Sequence, residues 1–248
     1  QDVRDCIYKE VLMNKHIFEN IKNPEIFEEN RLLAHSDHKI FADRDELLRG
    51  ESSYIYSLNG VWKFNYSINP ESTPDGFENT DYNCKNWEDI RVPAHIQMEG
   101  YDRPHYANVA FPWDGRQDIK SGELPTDFNP VANYVKYFTL PEGFTKESIV
   151  LRLEGVESAA AIWLNGNYIG YAEDSFTPSE FDLTGHIIAG ENKLAIQVVK
   201  WCSGSWLEDQ DFFRFSGIFR DIYLYTKPEC HLEDIDIKQV FNNKLFND

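Results

Sequence analysis

Asn165-Gly166 stands between two apolar runs, Ala159 to Leu164 before it and Tyr168 to Tyr171 after it. A two-residue hairpin turn needs left-handed backbone at its centre, which Asn and Gly adopt at least cost. The pair therefore predicts two antiparallel strands joined at residues 165–166. Other stretches follow the same two-residue alternation. Val61 to Tyr66 places Trp62, Phe64 and Tyr66 on one face, just after the turn-forming Asn59-Gly60. Tyr134 to Thr139, Ile149 to Leu153 and Asp221 to Tyr225 read as further strands. In Lys193 to Lys200, Leu194, Ile196 and Val198 point one way. Short strands with regular turns and almost no helical period predict an all-β chain, an antiparallel sandwich of jelly-roll type.

The chain's 248 residues are enough for one sizeable core. Residues 1–50 are polar and lack a sustained period, so they are expected to form an extended arm over the domain with only short helical turns. The sandwich is expected over 51–228. Residues 229–248 contain a fresh alternating run, Leu232 to Phe241, with Ile235 and Ile237 on one side. A lone strand cannot bury its face, so this run is expected to begin a following, truncated domain. Between 92 and 130, Pro93, Pro104, Pro112, Pro125 and Pro130 punctuate a segment rich in Gly and aromatics. Such a segment reads as long ordered loops, where binding groups usually sit.

Seventeen Phe, thirteen Tyr and six Trp favour strands and supply flat faces for a ligand. Trp113, beside Phe111 in the Pro-rich loop, is the candidate platform, while Trp87 and Trp206 are assigned to the core. A formal net charge of −18 repels phosphate backbones and anionic lipid, which argues against nucleic acid and membrane partners. No run approaches the ~18 apolar residues of a membrane span. Cys6, Cys84, Cys202 and Cys230 are widely spaced without a CxxC pair, so buried free thiols are expected in place of a zinc site or a disulfide scaffold. His35, His95 and His105 lack ligand spacing, and Ser216-Gly217 reads as a tight bend. The chain begins at Gln1, which fits a cleaved export signal and a shortened chain equally, and the compartment stays open.

Four stretches carry a resemblance. They are N-P-E-x-F-x-x-N-R-L-x-A-H-S at 23–36, L-N-G-V-W-K-F at 58–64, V-P-A-H-I-Q-M-E-G-Y-D-R-P-H-Y-A-N-V at 92–109, and W-L-E-D-Q-D-F-F-R-F-S-G-I-F-R-D-I-Y-L at 206–224. In this order they resemble the large bacterial β-galactosidases of glycoside hydrolase family 2. The 58–64 motif is shared with β-glucuronidases and β-mannosidases, whereas L-E-D-Q-D is more specific to the β-galactosidase branch.

The resemblance implies a jelly-roll first domain, then an immunoglobulin-like domain, then a barrel that carries the catalytic glutamates. It places no catalytic residue in this chain. It implies that Asn108 contacts galactose, and that Asp211 contacts a galactose hydroxyl while ligating sodium in a site the barrel completes. Magnesium is expected in the full-length enzyme but not on this chain, and a homo-oligomer is expected of the intact protein. These residue types suit the task. An ionised Asp accepts from two hydroxyls, and Asn both accepts and donates; a cation beside the carboxylate offsets its desolvation.

Alternatives stand beside each assignment. Asn108 could form an Asx-turn, and Asp211 could pair with Arg214 or Arg220. Glu208, Asp209 and Asp211 are rejected as a glycosidase acid/base pair, since a retaining pair sits ~5–5.5 Å apart on opposite sides of a bound sugar, usually on separate elements. At the level of function, the alternatives are a stand-alone carbohydrate-binding module, the same domain of a β-glucuronidase-like enzyme, and a structural interaction domain.

Overall fold

The computed structural model describes residues 17–144, 148–208 and 211–239. The hairpin at 165–166 forms as its sequence requires. Strands β9 (Ala159–Leu164) and β10 (Asn167–Ala172) pair antiparallel, and Asn165 and Gly166 both take left-handed backbone at φ 53° and 81°. The Asn165 side-chain amide also donates to His186 O and Asn192 Oδ1 at 2.9 Å each, fastening the turn to the next strand.

That hairpin is one part of a seven-stranded antiparallel sheet. Its order is β1 (Glu28–Glu29), β10, β9, β12 (Asn192–Val199), β6 (Val131–Phe138), β3 (Gly60–Ser67) and β4 (Glu88–Val92). A four-stranded sheet faces it, ordered β11 (Ser179–Asp182), β7 (Ile149–Leu153), β15 (Ile222–Thr226) and β2 (Ile55–Ser57). The core between them takes the inward side chains of both sheets: Trp62, Phe64, Tyr134, Ile162, Leu194, Ile196 and Val198 from one, and Leu151, Leu153, Phe181, Ile222 and Leu224 from the other. Each such apolar side chain contributes about 1.5–3 kcal/mol by leaving water. The Trp62 indole N–H is satisfied by Leu58 O at 2.8 Å, so the ring is buried without an orphaned donor.

Strand β12 shows what its alternation alone did not. All eight of its residues are buried, because the sheet's outer face is covered as well. Ile17, Ile21, Phe77, Cys84 and Leu124, from the helical turn at 17–20 and from loops, pack there against Trp163, Tyr171, Ala195 and Val199. The polar members of that face find partners. Lys193 Nζ donates to Asn79 O and Tyr82 O at 2.6 and 2.8 Å, and Gln197 donates to Asn133 at 2.9 Å.

Residues 28–32 of the N-terminal segment run across the edges of both sheets. Strand β1 adds to β10, and Leu32 N donates to Glu180 O of β11 at 2.9 Å. One crossing therefore ties the edges of both sheets and shields them from pairing with another chain. A short helix, α1 (Arg44–Arg49), follows, N-capped by Asp43 and ended by Gly50 at φ 72°. On the outer face of the four-stranded sheet, Arg152 holds Glu180, Glu154 and Asp37 at 2.9, 2.8 and 3.0 Å, fixing the arm to β7.

Two features near the C-terminus were not legible in the sequence. Residues 231–239 form no strand. No described strand pairs with them, and their backbone is bound to the arm by side chains. Asp234 Oδ1 accepts from Ser36 N at 2.8 Å, and Ser36 Oγ accepts from Ile235 N at 2.9 Å. The rest of that alternating run, Val240 and Phe241, lies outside the described residues. Cys84 and Cys202 are buried free thiols, but Cys230 is exposed; Cys6 lies outside the described residues.

Candidate functional site

The Pro-rich loops and the 206–224 segment meet in a two-stranded ribbon, β5 (His105–Ala107) paired antiparallel with β13 (Phe212–Arg214). Its register sets His105 opposite Arg214, Tyr106 opposite Phe213, and Ala107 opposite Phe212. One rung further on, Asp211 N donates to Asn108 O at 3.2 Å. The two residues singled out in the sequence thus stand side by side at the exposed tip of the ribbon. Asp211 takes left-handed backbone at φ 55°, a conformation Asp tolerates better than most residues.

Tyr106 is the functional candidate that sequence reasoning missed. Its hydroxyl donates to Asp211 Oδ1 in a short hydrogen bond, and this bond to the carboxylate pushes the phenol's pKa up. The Tyr106 ring packs on Phe213 with centroids 4.8 Å apart. A signal was present: Tyr106 sits two positions before Asn108, on the same side of an extended chain. Neither arginine weighed as a partner for Asp211 is directed to it. Arg214 pairs with Glu157 at 3.4 Å, and Arg220 donates to Phe176 O at 2.6 Å.

Asp211 Oδ2 receives no hydrogen bond from a described residue, so the carboxylate keeps an oxygen for a hydroxyl or a hard cation. The donor chemistry fits one ligand of a sodium site. No group of three or more acidic, His or Cys side chains that could hold a metal occurs among the described residues. Asp209, the middle member of the acidic run, lies outside the described residues.

The tryptophans trade roles. Trp113 is 2% exposed and belongs to the interior. It stacks on Phe111 at 5.5 Å with the ring planes 2° apart, and meets Trp201 edge-on at 5.8 Å. Phe111 and Trp206, 4.4 Å apart, are the rings nearer solvent. Trp206 anchors to Glu123 O at 2.9 Å on the short helix α2 (Ser205–Glu208). Trp87 is half-buried against Phe77.

Beneath the ribbon lies a set of buried charges. Lys200 is held by Asp102 in a short ion pair, with side chains 1% and 5% exposed. Gln97 Nε2 donates to the same Asp102 Oδ2 at 2.9 Å. Burial pushes Glu157 up to about 7 against the pull of Arg214, and burial lowers Lys200 against the pull of Asp102. His105 is lowered by burial and then by the positive charges of Lys200 and Arg116.

The fold and ribbon define an all-β sandwich domain whose loops present an Asn–Asp pair beside aromatic rings. The model of the glycosyl hydrolases family 2 sugar binding domain matches residues 55–228, and the chain belongs to that family. It is 47% identical over 226 residues to a β-galactosidase of Halalkalibacterium halodurans, covering 91% of this chain and 22% of that protein. It is 45% identical over 246 residues to a β-galactosidase large subunit of Lactobacillus helveticus, covering 91% of this chain and 39% of that protein. Among solved structures, an uncultured Clostridium sp. β-glucuronidase superposes with a TM-score of 0.57 at 23% identity, covering 86% of this chain and 34% of that one. A Bacteroides uniformis β-glucuronidase gives a TM-score of 0.51 at 21% identity, covering 68% and 17%. At these identities the structural likenesses speak to the fold alone.

Proposed function

We propose that this chain is the first domain of a retaining β-galactosidase and lends Asn108 and Asp211 to the pocket for a terminal β-D-galactoside. The observation that carries this reading is the ribbon tip, where Asp211 N bonds to Asn108 O and both side chains are exposed. An acceptor-only carboxylate beside a donor-and-acceptor amide can orient neighbouring sugar hydroxyls. Asp211 would also give one ligand to sodium, with the remaining ligands on a downstream barrel. The bond-breaking groups, a carboxylic acid that protonates the leaving oxygen and a carboxylate that attacks the anomeric carbon, would lie on that barrel. Residues 229–248 would lead into an immunoglobulin-like domain between the two.

The names of the relatives at 45–47% identity favour a galactoside. The two glucuronidases compared above resemble this chain in fold, at 21–23% identity. The test assays the complete protein on aryl β-galactoside and aryl β-glucuronide, with and without sodium, alongside Asp211→Ala. We expect galactoside hydrolysis that sodium stimulates, and a KM raised about tenfold or more in the variant, since a hydrogen bond to a charged group is worth about 1.5–3 kcal/mol. Activity on the glucuronide alone would overturn the substrate. An Asp211→Ala enzyme with unchanged KM and sodium response would overturn the site.

A further inference from the structure

Both roots of the ribbon are bound to the sandwich by buried charges. Asp102, at φ 56°, stands just before β5. Its carboxylate takes the Lys200 ammonium from the end of β12 together with the Gln97 amide. The Gln97 side-chain oxygen in turn accepts from Ser216 N at 3.0 Å, just past β13. A continuous path, Lys200–Asp102–Gln97–Ser216, thus links the sandwich, the strand entering the tip and the strand leaving it. Arg214, the last residue of β13, reaches Glu157 of β8 (Val156–Glu157), and both side chains are at most 2% exposed. Strand β8 itself pairs with β14 (Gly217–Ile218), which closes the second root.

Burying four charges is a poor way to gain stability, because desolvation consumes most of what pairing returns. Apolar side chains of the same size would hold a core as well. What directional pairs add is a fixed position for the segments that carry them. Loop groups act on a ligand only when a rigid base sets their place, and a displacement of about 1 Å is enough to lose a productive geometry.

We infer that Lys200, Asp102 and Gln97, with Arg214 and Glu157, are positioning residues: they fix the two roots of the β5–β13 ribbon and so set where Asn108 and Asp211 meet the sugar. This inference rests on the galactoside reading of the ribbon tip. None of the five touches the sugar in this scheme; each acts through the ladder that ends at Asn108 and Asp211.

The experiment is a double-mutant cycle in the complete protein on an aryl β-galactoside, combining Lys200→Met with Asp211→Ala. Wild-type hydrolysis and the effect of Asp211→Ala alone test the galactoside reading, and a wild type without galactosidase activity overturns both. Given that activity, Lys200→Met is expected to raise KM by about 10-fold with kcat within about twofold. In the Asp211→Ala background the same change should raise KM by clearly less, because only the Asn108 contact is then left to misplace. A KM unchanged by Lys200→Met, or losses that multiply in the double variant, would overturn the positioning role. Should Lys200→Met fail to fold, Gln97→Met removes the neutral link of the same path and is read in the same cycle.

Discussion

Asn108 and Asp211 occupy facing positions one rung beyond the β5–β13 ladder, joined by a 3.2 Å hydrogen bond from the amide of Asp211 to the carbonyl of Asn108. They come from loop segments far apart in sequence. The pairing of Tyr106 with Phe213 and of His105 with Arg214 brings them together. An arrangement built this way depends on register, since a slip of one residue would turn every side chain on the ribbon to its other face.

The Tyr106–Asp211 contact can be read directly by titration. Its hydrogen bond holds the phenol above the ordinary tyrosine range. A pKa raised in the folded state means that the contact is intact below the usual tyrosine value of about 10 and is lost as pH rises through the higher folded value. In ring-carbon-labelled protein, the Tyr106 signal should titrate above that value, and Asp211→Ala should bring it back down. A midpoint unmoved by the substitution would show that the bond is not formed.

His95 gives the sandwich an acid-sensitive joint. Its ring stacks on Phe219 at 4.9 Å and lies 4.7 Å from Phe215. Its Nδ1 is buried without a hydrogen-bond partner among the described residues, and burial lowers its pKa. A lowered folded value means that the unfolded chain takes up the proton first. This contribution to stability is therefore present above about pH 6.5 and lost as pH falls. Glu157 runs the other way: burial raises it to about 7, so its contribution is present at low pH and lost as pH rises through that value. Comparing wild type with His95→Phe isolates the first effect. The difference in thermal midpoint between pH 7.5 and pH 5.5 should shrink in the variant, and an equal difference in both proteins would refute the assignment.

Gly170 controls how the arm docks. A Cβ at this position would lie 2.6 Å from Glu29 O and 2.6 Å from the Phe181 ring. Neither the backbone of β1 nor a ring packed in the core can yield cheaply. Gly170→Ala should therefore lift β1 away from β10 and cost about 1–3 kcal/mol. Chemical denaturation would measure the loss, and faster proteolytic cleavage around residues 28–32 would locate it. Unchanged stability and cleavage would mean that the arm does not depend on this close approach.

The local sequence determined the strands whose signals are local. Asn165-Gly166 specified its hairpin because two consecutive left-handed residues leave the backbone few other choices. Trp62 and Phe64 specified the inner face of β3 because a strand alternates. The sequence also singled out Asn108 and Asp211, but only through a family resemblance. Nothing in the residues themselves separated Asn108 from an Asx-turn or Asp211 from a surface ion pair.

Tertiary structure decided the rest, through contacts between distant segments. It covered the outer face of β12, so that alternation there did not mean exposure. It buried Trp113 edge-on against Trp201 and left Phe111 and Trp206 nearer the surface. It bound the segment from Leu232 to Ile235 to Ser36 and His38 through side chains. It also brought Lys200 to Asp102 and Arg214 to Glu157, pairings that no local pattern encodes. Periodicity reports which way a side chain points; only the packed chain determines what it meets there.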